Sequence, residues 1–146
     1  MTLSPTLTAW LTAQGFPADN LNVTIHNNTT PLMQAARLGD LAIAAELIQS
    51  GVELNATNND GNNALWLACF NGDPQVIELL INSGINLNNQ NDNGSTCLMY
   101  ASSASKTAVV EQLLQAGADT KLKSLDDFTA LDVVGNLECL MMLRRA

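Results

Sequence analysis

The stretch Asn58–Gln90, NNDGNNALWLACFNGDPQVIELLINSGINLNNQ, decides the fold of this 146-residue chain, because the segments on both sides of it repeat its pattern. Its first leucine, Leu65, recurs at a constant spacing of 33 residues, at Leu32, Leu98 and Leu131. Its last glycine, Gly84, has counterparts in the same phase at Gly51 and Gly117. A fixed period of this length is typical of stacked repeat proteins, in which each unit buries its apolar side against the next one.

Turn residues divide this stretch into two predicted helices. Asp60-Gly61 predicts a sharp turn, because glycine tolerates positive φ. A first helix is predicted over Ala64–Asn71, ended by Gly72. Asp73-Pro74 then supplies an N-cap and a first-turn proline for a second helix, which Gly84 closes. The predicted buried stripe of this second helix is Val76, Ile77, Leu80 and Ile81. Both helices are too short to be stable alone, so we expect them to depend on neighbouring copies.

The residues in these positions resemble one family. Residues 30–36, Thr-Pro-Leu-Met-Gln-Ala-Ala, resemble the T-P-L-H-x-A-A signature of ankyrin repeats, whose period is also 33 residues. Gly39-Asp40, Gly51 and Gly117-Ala118-Asp119 continue the match, so that the resemblance extends over roughly residues 28–146. It implies an all-α repeat solenoid: an ankyrin-type stack of helix-turn-helix units joined by β-turn fingers, with capping elements at both ends.

The repeat phase predicts one domain over residues 1–146. Residues 1–24 form a capping helix and loop, with Ser4 as N-cap, Pro5 in the first turn and Gly15 at the end. Full repeats follow at 25–57, 58–90 and 91–123, and 124–146 form a closing repeat. A stack needs such end-pieces, because its outermost repeats would otherwise expose an apolar side.

Two places depart from the pattern. Ser105 stands where the earlier copies have Gly39 and Gly72, so we expect the Ser102–Lys106 connection to take a different turn or to be more mobile. In the closing copy, Thr129-Ala130-Leu131-Asp132-Val133 resembles the last repeat of ankyrin arrays, and the phase then slips at Gly135. We therefore expect a short first helix there, with three later leucines packing inward: Leu137, Leu140 and Leu143.

The composition of the chain limits the kinds of partner and the cellular location that we expect. The formal charge is −8, and Arg37 is the only basic residue among the first 105, so the sequence argues against nucleic acid and anionic membranes as partners. Met1–Gly15 lacks the pattern of a signal peptide, and no apolar run has membrane-spanning length. Cys69, Cys97 and Cys139 show no pairing or metal-ligand spacing, which predicts buried, reduced thiols and a cytoplasmic location.

The residues that carry chemistry are sparse. His26 is the only histidine and is expected in a solvated turn, and Asp126-Asp127 is expected to be a solvated pair and not a metal site. The glycines are spaced as turns and do not form a phosphate-binding loop. We therefore expect no catalysis, no metal and no cofactor.

The resemblance implies that partners bind a concave groove formed by the finger tips and the exposed sides of the first helices. Phe70 is the strongest candidate, because an aromatic side chain where solvent is expected is typical of an interaction patch. Trp66 lies one turn earlier, in phase with Met33 and Met99, and this row is either packing between repeats or an adaptable contact surface. The predicted partner-binding residues are Met33, Arg37, Leu38, Asn59, Asp60, Asn62, Trp66, Phe70, Asn71, Asp92, Asn93, Ser95, Met99 and Ser103, with His26, Asn27 and Ala104 in equivalent positions.

The sequence thus predicts a non-catalytic, monomeric protein–protein interaction module of unknown partner. Two other interpretations stay open: a regulatory inhibitor or assembly chaperone of a specific enzyme, and an exported effector.

Overall fold

The computed structural model describes residues 2–146, which form eight α-helices and one short 3₁₀ turn at His26–Asn28. The helices are α1 Pro5–Gln14, α2 Pro31–Leu38, α3 Leu41–Gln49, α4 Ala64–Asn71, α5 Pro74–Asn82, α6 Cys97–Ser103, α7 Thr107–Gln115 and α8 Leu137–Arg145. They belong to two compact units, unit 1 up to Ile85 and unit 2 from Asn86 to Ala146.

Polar caps begin the first helix of each full repeat at the same position of the period. The side chains of Thr30, Asn63 and Thr96 each accept a hydrogen bond from the backbone N–H three residues later, at the starts of α2, α4 and α6. Asp73 caps α5 with Pro74 in its first turn, and the helix predicted at approximately Ala64–Asn71 is confirmed. The N-cap Ser4 of α1 and its terminating Gly15 are also confirmed.

In unit 1, the first helices of neighbouring repeats pack against each other, and so do the second helices. α2 lies along α4, α3 contacts α5, and α1 packs on α3. The repeated leucines Leu32 and Leu65 are buried, as are Val76, Ile77 and Leu80 of the predicted stripe of α5, whereas Ile81 is half-buried. The core of this unit is therefore the row of apolar positions that recur with the period.

Unit 2 contains α6, α7 and α8, with α7 packed on both of the others. Leu98 and Leu113 are buried here as their counterparts are in unit 1. Leu131, the fourth member of the leucine series, is instead 38% exposed. The closing copy therefore has a leucine at the repeated core position, but the side chain of this leucine is not buried.

Short hairpins, the fingers, precede the first helices. Each is closed by a backbone hydrogen bond from one residue to the fourth residue after it: Ile25 to Thr29, Asn58 to Asn62, Asn91 to Ser95, and Ser124 to Phe128. Asn58 Oδ1 also accepts from the N–H groups of Asp60 and Asn62, and Asn91 Oδ1 does the same for Asn93 and Ser95. The abundant asparagines in these loops therefore fold the turns.

The expected different turn at Ser105 is wrong. Ser105 has φ 59°, in the left-handed region that Gly39 occupies with φ 73°. The N–H of Lys106 donates to Ala101 O at 2.9 Å, just as the N–H of Asp40 donates to Ala35 O at 3.0 Å. Serine therefore adopts the same helix-ending turn as glycine, at the cost of a strained backbone.

The closing copy also differs from its prediction. Residues 130–133 form a hydrogen-bonded turn and no helix, held where the Thr129 N–H donates to Asp132 Oδ2 and the Asp132 N–H donates to Thr129 Oγ1. The prediction that Leu137 packs inward is wrong, because α8 begins at this residue with Cys139 and Leu143 on its buried side. Leu137 is 70% exposed as a result.

Candidate functional site

An open cleft of about 320 Å³ lies in unit 1, between the first two fingers and the helices α2 and α4. Its lining includes four of the predicted binding residues, Arg37, Asp60, Asn62 and Trp66, together with the tip residues His26 and Asn27. The cleft therefore combines a guanidinium, a carboxylate and an indole ring within one concave surface. Most of its lining residues are polar, with Trp66 and Leu67 as the apolar members, and such a surface can hold the backbone and polar side chains of a peptide segment.

The rim of the cleft is fixed by contacts between neighbouring fingers. The Asn59 N–H donates to Asn27 O at 3.1 Å, and Asn27 Nδ2 donates to Asp60 Oδ2 at 3.2 Å. Asn27 has φ 58°, a left-handed conformation that asparagine tolerates better than most residues. These bonds hold the Asp60 carboxylate in place beside the opening.

A stacked aromatic pair lies on α4. The rings of Trp66 and Phe70 have their centroids 6.5 Å apart and their planes within 7° of parallel. Trp66 is half-buried and lines the cleft, whereas Phe70 is 51% exposed. The stack restricts the phenylalanine ring without covering it, and it presents a large apolar surface to solvent.

Asn71 joins the end of α4 to the end of α2. Its Nδ2 donates to Arg37 O at 3.2 Å, and its Oδ1 accepts from the Asp73 N–H at 3.1 Å. Leu38, the next residue after Arg37, is exposed near this junction. The side chain of Asn71 is thus engaged in holding the helix ends together, a role that the sequence pattern does not reveal.

The predicted binding residues differ in how much of each residue is exposed to solvent. The exposed members are Arg37, Leu38, Asn59, Asp60, Phe70, Asn71, Asp92, Asn93 and Ser103, and the half-buried ones are Trp66 and Ser95. Of these, Asp92, Asn93, Ser95 and Ser103 belong to unit 2. Ser103 is at the end of α6, where its Oγ donates to Tyr100 O at 3.0 Å.

Three of the predicted residues have buried side chains, Met33, Asn62 and Met99. Met33 and Met99 are almost completely enclosed, so these two members of the row are packing residues. α2 packs along α4, and five of the seven residues of α6, Met99 among them, are buried. Asn62 is buried because it closes the second finger with Asn58.

Two exposed apolar residues of the fourth finger, Leu125 and Phe128, are not among the predicted binding residues. The repeat phase contains a signal for them, since Leu125 occupies the tip position of His26, Asn59 and Asp92. An apolar side chain at a position that is polar in three other copies is a departure that the period alone makes visible. The Leu125 N–H donates to Asn93 O at 2.9 Å, which stacks this finger on the previous one within unit 2.

Comparison with protein families agrees with this architecture. A family model described as ankyrin repeats in three copies matches residues 5–91 and, in a second placement, residues 32–124. The chain belongs to the ankyrin repeat family. Its fold class is accordingly the all-α repeat solenoid. Comparison with curated proteins gave no significant match.

Ankyrin repeats are in general modules for protein–protein interaction, and proteins built from them are typically non-catalytic. Within residues 2–146, no helix is both long enough and apolar enough to cross a membrane. The same residues contain no group of three His, Cys, Asp or Glu side chains placed to hold a metal ion. The three cysteines of this ankyrin repeat chain are buried, as predicted.

Proposed function

We propose that this protein binds a segment of a partner protein on the concave side of unit 1 and has no catalytic activity of its own. The proposed site comprises the cleft and the neighbouring exposed side chains, Arg37, Leu38, Asp60, Trp66 and Phe70. The observation that carries the proposal is the stacked Trp66–Phe70 pair, because a rigid, half-exposed aromatic beside a cleft has the properties of an interface anchor.

The charges of unit 1 favour a basic partner surface. Its sequence contains seven carboxylate side chains and one arginine, so its field attracts cationic proteins and speeds their encounter. Arg37 is the local exception inside the cleft, where its forked guanidinium can hold a carboxylate or a backbone carbonyl of the bound segment. Three finger residues of unit 2, Asp92, Asn93 and Ser95, are proposed as further contacts, together with Ser103 at the end of α6.

Two matched phenylalanine variants test the site. Phe70 and Phe128 are 51% and 49% exposed, so replacing either with alanine removes a similar exposed ring. We expect a partner captured from native lysate by the wild-type protein to be retained by Phe128→Ala and lost by Phe70→Ala. Titration of the purified partner should then show a loss of about 2 kcal/mol, roughly thirtyfold in Kd, for Phe70→Ala. Equal binding by wild type and Phe70→Ala would remove Phe70 from the site.

Further measurements on the captured partner distinguish the narrower interpretations, which are an inhibitor, an assembly chaperone and an exported effector. If the captured partner is an enzyme, its activity at saturating concentrations of this protein distinguishes an inhibitor from a passive scaffold. The proposed place of action is the cytoplasm, which the three buried cysteines outside any disulfide support. Capture of a partner from a lysate of foreign cells, and of none from native lysate, would instead favour the exported effector.

A further inference from the structure

The outer face of α8 presents apolar side chains to solvent. Cys139 and Leu143 are buried on the side that packs on α7, whereas Leu137 and Met141 are 70% and 43% exposed. A helix turns by about 100° per residue, so Met141 points directly away from the midpoint between Cys139 and Leu143. The exposed stripe is therefore centred on Met141, and one edge of it borders an open pocket that it shares with Thr107 and Glu111 of α7.

α8 is held firmly in this orientation. Asn136 caps it, with Oδ1 accepting from the Cys139 N–H at 2.8 Å and Nδ2 donating to Thr107 Oγ1 at 3.1 Å at the start of α7. The exposed stripe is thus a fixed feature of the folded unit and not a frayed segment.

Opposite charges flank the stripe at equal distances from its centre. Glu138 is three residues before Met141, and Arg144 is three residues after it, with Arg145 next to it. All three side chains are exposed. The charges on α8 are therefore available to a molecule that docks on this face.

We propose that α8 binds α8 of a second copy of this chain, antiparallel, across a two-fold axis that passes through Met141. This axis brings together positions that are about equally far before and after Met141 and that lie on the same side of the stripe. Glu138 and Arg145 share one side, so Glu138 faces Arg145 of the second copy. Leu137 lies on the other side, against the aliphatic stem of Arg144 of the second copy. The two Met141 side chains meet at the axis, where their flexibility allows them to pack together.

The symmetry of the charges selects a second copy as the occupant. In a two-fold interface, every residue that contacts another is contacted by it in turn, so the face must be complementary to itself. An apolar centre with an acid at one end and two bases at the other meets this condition only in antiparallel pairing. Parallel pairing would place like charges side by side. The face is one helix of nine residues, so the association is weak and concentration-dependent.

This pairing departs from the monomer expected from sequence, and it is independent of the partner site in unit 1. Sedimentation velocity of the full chain over roughly a hundredfold range of concentration tests it. We expect a reversible monomer–dimer equilibrium that Met141→Lys abolishes, because two ammonium groups would meet at the axis. Leu125→Lys, an equally drastic change at an exposed leucine outside α8, should leave the equilibrium unchanged.

Charge reversal gives a sharper test. Glu138→Arg makes both ends of the stripe basic, and Arg144→Glu with Arg145→Glu makes both ends acidic, so each protein alone should self-associate at least about tenfold more weakly. A mixture of the two should regain association as a heterodimer. Circular dichroism verifies that each variant is folded, since both reversals oppose the helix dipole. A monomeric wild type throughout the range, unchanged association of Met141→Lys, or a mixture that stays monomeric would overturn the proposal. Phe70→Ala should not affect self-association, which separates this result from that of the partner site.

Discussion

The carboxylate of Glu46 accepts two hydrogen bonds from Ser4, one from the backbone N–H at 2.8 Å and one from Oγ at 2.5 Å. Ser4 is also the N-cap of α1, since its Oγ accepts from the Leu7 N–H at 3.0 Å. Glu46 lies on α3, so this contact fastens the start of the capping helix to the first full repeat. The two donors lower the pKa of Glu46, the Oγ hydrogen bond contributing most and the backbone hydrogen bond next.

The lowered pKa makes the attachment of α1 depend on pH. The ionised form of Glu46 is favoured by folding, so its contribution to stability is complete above the unfolded-state pKa and is lost as pH falls through the lower folded-state pKa. We expect Glu46→Gln to be less stable than wild type at pH 7, and the difference in unfolding free energy to shrink as pH falls below about 4.5. Urea denaturation at several pH values measures this difference.

The control for Glu46 is Glu53→Gln, which removes an exposed carboxylate from the loop after α3. It should leave the unfolding free energy nearly unchanged at every pH in the series. A constant difference between Glu46→Gln and wild type from neutral to acid pH would show that protonation of Glu46 is not coupled to folding.

Leu80 tests the packing of unit 1. Its side chain on α5 is fully buried in the series of apolar positions that the period defines. Leu80→Ala should lower the unfolding free energy by about 2–5 kcal/mol, because it leaves a cavity that close-packed helices cannot fill. Leu38→Ala removes the same atoms from an exposed leucine and should change stability by no more than about 0.5 kcal/mol. Similar midpoints of urea denaturation for the two variants would contradict the packing.

Gly39 tests the junction between α2 and α4. Its φ is 73°, and a Cβ built there would lie 2.8 Å from Asn71 Oδ1. Gly51 has φ 83° but open space where its Cβ would be, so Gly51→Ala should cost only the backbone strain of about 1–2 kcal/mol. Gly39→Ala should cost more, because it also displaces an amide that makes two hydrogen bonds.

A double-mutant cycle checks the cause of that extra cost. In an Asn71→Ala background the clash is gone, so Gly39→Ala should cost about as much as Gly51→Ala. If Gly39→Ala is equally destabilising with and without Asn71, the clash is not the reason.

The helices could be predicted from sequence because their signals are local. Asn63 caps α4 by accepting a hydrogen bond from the backbone N–H three residues later, and Gly72, with φ 90°, ends the helix. The signals for both ends of the helix 64–71 therefore lie next to it in the sequence. The recurrence of leucine at one phase then identifies which side is buried. The same period identifies Phe70 as a candidate binding residue, because it is an aromatic residue on the side that the period assigns to solvent.

Burial at the edges of this pattern depends on neighbours and could not be read locally. Met33 and Asn62 are buried only because neighbouring segments pack around them in the folded unit. Leu131 has the phase of a core residue, yet it is exposed because the closing copy forms a turn where the others form a helix. The role of Asn71 required knowing that the α2 and α4 ends meet.

Gly135 explains how the closing copy is attached despite its missing helix. Its N–H donates to Ser102 O at 2.9 Å, at the end of α6. A Cβ at this position would lie 2.5 Å from Ser105 Oγ and 2.7 Å from Ser103 O. The backbone of residue 135 therefore lies directly on the turn between α6 and α7, an approach that only glycine permits.

We expect Gly135→Ala to lower the unfolding free energy by about 1–3 kcal/mol, because the contact with Ser103 O involves backbone that must shift. Ser105→Gly should act in the opposite direction, stabilising by up to about 1 kcal/mol, since it restores glycine at φ 59°. Ser105→Gly should rescue Gly135→Ala only in part, because it removes the Oγ contact and leaves the one with Ser103 O. Complete rescue, measured by urea denaturation of the three variants, would instead assign the whole cost to the serine side chain and leave the backbone of α6 uninvolved.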